Sequence, residues 1–221
     1  MKKTFWIINL ILLAVMAVGT YCYQVISGLK ITCCSVFVVL GLVNLIFTLC
    51  YNRKAWKFSL GIAVGLIMAI SGDYYLGVDF VLGASLFALA HVCYFSAQSI
   101  LISFKLRDLI PSLILFASIG SFLMFCPLLN FGGMVNQIVC LVYALIISMM
   151  TGKAISNFIR EKNAVTTVLV IGCSLFLFSD LMLCASWFMD TGRITSILCM
   201  VTYYPAEILL AHSIYHHAVQ K

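Results

Sequence analysis

Long apolar runs, interrupted by short polar or charged clusters, recur eight times along the chain. A helix that crosses a bilayer needs about 20 mostly apolar residues. On that rule the pattern predicts helices at roughly 4–26, 31–51, 56–76, 79–104, 109–126, 132–152, 164–188 and 194–217. The breaks have their own chemistry. Ser27-Gly28 and Lys30 close the first run, and Asn52-Arg53-Lys54 the second. Gly77 with Asp79 makes a short turn. Lys105 to Asp108 precedes Pro111, which suits the first turn of a helix. Pro127 to Gly133, Asn157 to Asn163 and Asp190 to Arg193 separate the remaining runs.

The charges test this segmentation. Eight spans put both termini on one side. With that side inside, eleven basic residues lie there: Lys2, Lys3, Arg53, Lys54, Lys57, Lys105, Arg107, Lys153, Arg160, Lys162 and Lys221. Only Lys30 and Arg193 lie outside. The positive-inside rule then predicts cytoplasmic termini, in a cell inner (plasma) membrane. The N-terminus also has signal-peptide features, with small residues Val15 and Ala17 for cleavage. Its apolar run continues to about Ile26, however, and is read as an uncleaved helix.

Composition agrees. The chain is 64% hydrophobic and 9% charged, with mean hydropathy +1.14. A soluble domain is about 45–50% apolar and about 25% charged. The predicted fold class is an all-α integral membrane protein: a single domain over residues 1–221, eight transmembrane helices in one bundle. The net charge of +6 lies in inter-helix clusters, so it marks topology and not nucleic acid. The 10 cysteines are scattered through apolar runs; only Cys33-Cys34 is a close pair. They are read as small apolar residues, with neither disulfides nor a cysteine metal centre expected.

Four ionisable residues sit inside the apolar runs: Asp73, His91, Asp180 and Glu207. A charge at the centre of a membrane helix costs about 2.5–3.5 kcal/mol on insertion scales, so such residues usually have a use. Counting along the helices puts all four between the midplane and the outer leaflet. His91 and Tyr94 share a helix face with Gln98; Tyr203 and Tyr204 share one with Glu207; Asn136 shares one with Tyr143. This predicts a polar lining on the third, fourth, sixth, seventh and eighth helices. The first, second and fifth are read as packing or lipid-facing elements. Each polar residue alone also has a bland reading, as a hydrogen-bond acceptor, a cap or a packed ring; four at one depth argue for one site. His212, His216 and His217 are read as interfacial and solvated. No close ligand spacing marks a metal motif, and no metal or cofactor is expected, although a zinc held across separate helices stays open. A short echo links Gly83-Ala-Ser-Leu-Phe87, leading to His91, with Gly172-Cys-Ser-Leu-Phe176, leading to Asp180. It is read either as inverted repeats or as a shared small-residue packing motif, like Gly61-xxx-Gly65.

The residues GDYYL at 72–76, GASLFALAHVCYF at 83–95, YALIISMM at 143–150, GCSLFLFSDLMLC at 172–184 and YYPAEILLA at 203–211 resemble the YhhN-like family of membrane lysoplasmalogenases. The resemblance covers nearly the whole chain. In one place the sequence departs from it: the last family motif usually reads Tyr-xx-Ala-Gln, and Glu207 stands at the Gln. The resemblance implies hydrolysis of the vinyl ether bond of a lysoplasmalogen to a fatty aldehyde and glycerophospho-ethanolamine or -choline. Its partners would be a lysophospholipid substrate and membrane lipid, with no nucleic acid.

That chemistry asks for one carboxylic acid, one carboxylate and a positioned water, as glycoside hydrolysis does. Asp73 and Asp180 are the expected pair, with His91 as orienting group or base. Tyr94, Tyr143, Tyr203, Glu207 and Asn136 are expected to bind substrate. No serine-hydrolase elbow occurs. A proton-coupled transporter would use the same buried acids, but only Pro205 breaks a helix pattern in mid-run. A scaffold would not need them.

Overall fold

The computed structural model describes residues 2–25 and 30–220. It is all-helical: α1 (Lys2–Val25), α2 (Lys30–Tyr51), α3 (Trp56–Leu76), α4 (Phe80–Leu101), α5 (Leu109–Phe125), α6 (Met134–Arg160), α7 (Ala164–Phe188) and α8 (Ile194–Val219). Among the described residues, seven helices, α2 to α8, are long and apolar enough to cross a membrane. Large apolar side chains stay exposed mid-helix, among them Ile46, Leu89, Ile114, Val142 and Ile171. In water such a surface would aggregate; in a bilayer it meets lipid. The predicted break at Ser27-Gly28 lies outside the described residues.

Local chemistry sets the turns. Asp79 caps α4, its Oδ1 accepting from the Leu82 amide at 2.7 Å. Asn163 and Thr166 form a reciprocal cap at the start of α7, at 3.0 and 3.1 Å. These caps satisfy amides that no helix bond reaches.

Two small residues decide how closely α3 and α4 approach. A Cβ on Gly65 would overlap the Tyr94 ring, and one on Gly72 would press on Phe87. Gly65 and Gly72 therefore make room for two rings that reach the site. The glycines of the echo are not equivalent: Gly83 abuts the preceding helix at Leu76, whereas Gly172 abuts the following one at Ala206 and Leu209. That is packing by small residues.

The largest departure from the predicted edges is α6, which runs to Arg160 and not to about 152. Lys153, read as a loop cation, is fully buried. Its Nζ is 2.6 Å from Asp108 Oδ2. Asp108 also accepts from Ser156 at 2.5 Å and from the Lys105 amide at 2.9 Å. A buried charge persists only when paired and hydrogen-bonded, and here the pair ties the start of α5 to the end of α6. Asn157, read as loop, is likewise buried and donates to the Gln98 carbonyl at 3.1 Å.

A second polar clamp joins α1, α2 and α8. Asn9 and Asn44 exchange amide hydrogen bonds at 2.8 and 2.9 Å. Asn44 also donates to the Ala211 carbonyl at 3.1 Å. His212, expected to be solvated, has its Nδ1 2.9 Å from Asn9 Oδ1 and its ring against His216. The Tyr215 hydroxyl reaches the Lys2 carbonyl at 3.5 Å, so the start of α1 and the end of α8 lie together.

Candidate active site

At the opposite end of the bundle, α3, α4, α6, α7 and α8 each turn polar groups inward. Three tyrosine–carboxyl pairs result, each bridging two helices. Tyr203 on α8 donates to Asp73 Oδ2 on α3 at 2.6 Å. Tyr143 on α6 donates to Asp180 Oδ2 on α7 at 2.5 Å. Tyr94 on α4 donates to Glu207 Oε2 on α8 at 2.8 Å. Hydrogen bonds to carboxylates are among the stronger ones, so each pair fixes two helices and one acid.

His91 joins the second pair. Its Nε2 is 2.7 Å from the Tyr143 hydroxyl and 3.2 Å from Asp180 Oδ2. Nδ1 is buried with no hydrogen-bond partner. Tyr143 gives its one proton to Asp180 and can only accept from His91, so both partners of Nε2 are acceptors and a proton on Nε2 suits them. Phe176 sits among the three pairs, its ring centroid 4.7 Å from His91 and 5.4 Å from Tyr203.

Two hollows meet at this cluster. A polar cavity of about 240 Å³ is bordered by Asp73, Asp180, Tyr203 and Tyr204, with Ser179, Ser186, Ser196 and Cys199. An apolar slot lies beside it between α3, α4 and α7 on one side and α5 and α6 on the other; Tyr143 and Asp180 are its polar wall residues. Leu76, Phe87, Asp180 and Leu183 border both.

The predicted site residues divide accordingly. Asp73, Asp180, Tyr143 and Tyr203 face one hollow or the other. His91, Tyr94 and Glu207 are fully buried behind them and line neither. Asn136 is apart: its side chain donates to the Phe131 carbonyl at 2.9 Å and holds the loop before α6. Its i, i+7 spacing to Tyr143 misled because it sits in the first turn, where a side chain turns back toward the loop.

The sequence reading missed Cys34. This α2 residue puts its thiol 3.1 Å from Asp73 Oδ2, so the second helix contributes to the polar cluster. A buried cysteine in an apolar run gives no sequence signal of that kind. Among the described residues, no group of three or more His, Cys, Asp or Glu side chains converges as a metal would require.

Comparison with curated proteins and with solved structures finds no match. The sequence matches the model of the YhhN family over residues 30–214, from the start of α2 to the last turns of α8. The match spans all three tyrosine–carboxyl pairs, and this multi-pass membrane protein belongs to the YhhN family.

Proposed function

We propose that the protein is a membrane lysoplasmalogenase, hydrolysing the vinyl ether of 1-alkenyl lysophospholipids in the plasma membrane, with its termini in the cytoplasm. The observation that carries this reading is that Asp73 and Asp180 border one polar cavity, each held by its own tyrosine.

The reaction begins with a proton delivered to the β-carbon of the vinyl ether. The electron pair of the C=C bond takes it, and the α-carbon becomes an oxocarbenium ion. Water adds to that carbon and loses a proton. The hemiacetal then collapses to a fatty aldehyde and the glycerol hydroxyl, so the proton used is returned.

Asp180 suits the carboxylate that faces the cation. Its Oδ2 holds the Tyr143 hydroxyl and stands 3.2 Å from His91 Nε2, so the carboxyl group is fixed in place at the border of both hollows. Asp73 suits the acid. Its Oδ2 holds the Tyr203 hydroxyl and the Cys34 thiol, and the carboxyl group borders the cavity where the β-carbon would lie. Asp180 then also accepts the proton that the attacking water releases, and passing it back to Asp73 across the cavity they share resets the pair. Electrostatic stabilisation of this kind is strongest in a site screened from bulk water, and apolar residues such as Leu76, Phe87 and Leu183 wall this one.

The test is an assay of purified protein in detergent on 1-alkenyl, 1-alkyl and 1-acyl lysophospholipids. The expected result is aldehyde from the alkenyl compound and no cleavage of the alkyl ether. Fatty acid from the acyl compound alone would overturn the reading.

A further inference from the structure

We infer that the apolar slot between α5–α6 and α3–α4–α7 receives the hydrocarbon chain of the substrate, and that Ala144 and Cys140 set the chain length it accepts. The inference rests on the proposed function for the position of the scissile bond.

The slot is walled by Phe80, Ile119, Leu123, Val139, Ile147 and Leu177 among others. Its polar wall residues, Tyr143 and Asp180, are bonded to each other. A hollow of this kind excludes water and offers nothing to a phosphate or a glycerol. The neighbouring cavity is bordered, besides Asp180, by Asp73, Ser179, Ser186, Ser196 and two tyrosines. The pair of hollows suits an amphiphile with a polar head and a hydrocarbon tail.

The seam between them fixes the register. Asp180 borders both hollows. In a 1-alkenyl lysophospholipid the vinyl ether joins chain to glycerol. With the chain in the slot and the head in the cavity, that bond lies against Asp180. The opposite orientation would bury the phosphate among leucines and phenylalanines at a large desolvation cost.

The packing of α5 supplies the route. Its backbone packs closely on α6 and hardly at all on α3, α4 or α7. Ile119 and Leu123 of α5 nevertheless wall the slot opposite Leu76, Phe80 and Cys184. The slot therefore follows a seam of the bundle that is bridged by side chains, and a lipid chain in the bilayer is already in the medium this seam faces. On the α6 wall, Cys140 and Ala144 are small and buried, at 8% and 3% exposed. A larger residue at either point shortens the slot.

The experiment has two arms. In the first, kcat/KM is measured on a series of 1-alkenyl lysophospholipids of increasing chain length, for the natural sequence and for Ala144→Phe. The expected result is a long-to-short-chain ratio reduced about tenfold or more, as for lost methylene contacts in an apolar pocket. An unchanged ratio overturns the inference. In the second arm the natural protein is photolabelled with a non-hydrolysable 1-alkyl lysophospholipid carrying a diazirine at the chain end. Label on 119–123 and 139–147 supports the slot, and label confined to α8 or to α1 and α2 overturns it. This arm does not depend on the fold of a variant. Label in the slot with no turnover of any alkenyl lipid would remove the hydrolase reading and leave the chain site standing. Normal turnover with label elsewhere would do the reverse.

Discussion

Tyr143 on α6 donates to Asp180 on α7 across 2.5 Å, and Asp180 borders both the polar cavity and the apolar slot. Tyr143→Phe keeps the ring and removes the donor. A hydrogen bond to a charged group contributes about 1.5–3 kcal/mol. The expected outcome is a tenfold to hundredfold lower kcat/KM on the alkenyl substrate, with a melting temperature lowered by several degrees in a protein that stays folded at the assay temperature. Steady-state kinetics beside thermal unfolding checks this.

Asp73→Asn and Asp180→Asn preserve shape and remove the acid or the carboxylate. Each is expected to abolish aldehyde release while the protein still elutes as a folded, monodisperse species from size exclusion in detergent. Full turnover in Asp180→Asn would move the chemistry to another group.

Glu207 behaves differently because it lines neither hollow and holds the Tyr94 hydroxyl at 2.8 Å. Glu207→Gln keeps an acceptor carbonyl for that hydroxyl and restores the residue usual in the family motif. It is expected to retain activity within a few-fold. Glu207→Leu leaves the fully buried Tyr94 hydroxyl unpaired and is expected to lower stability by about 1–3 kcal/mol. Parallel melting curves and rates for the two variants distinguish a positioning group from a reacting one.

The Lys153–Asp108 pair lies far along α6 from the site and is a matter of stability. Lys153→Met leaves Asp108 buried with only Ser156 and the Lys105 amide as close partners, beside Arg160 at 3.5 Å. Breaking a buried pair costs about 3–5 kcal/mol. A clear fall in melting temperature is expected, partly recovered in the Lys153→Met, Asp108→Asn double variant.

The helices were legible because their signal is long and apolar; the ends of α3, α7 and α2 fall within a residue of the pattern's edges. The end of α6 was not, because Lys153 in a sequence reads as solvent, and only the fold supplies Asp108. The four ionisable residues were found by their cost in lipid. Their pairing was not, since Tyr94, Tyr143 and Tyr203 carry no mark that separates a donor from a packed ring. Cys34 was missed for a related reason: its role comes from α2 standing beside α3, and no spacing encodes that. The expected Asp73–Asp180 pair became two acids around one cavity, each with its own tyrosine.

The most direct measurement is turnover of a 1-alkenyl lysophospholipid in deuterium oxide, with mass spectrometry of the aldehyde trapped as it forms. Protonation of the vinyl ether carbon predicts a single deuterium on the carbon next to the aldehyde, and Asp73→Asn should yield no product. Aldehyde without deuterium, or no aldehyde from the folded natural protein, would contradict the account.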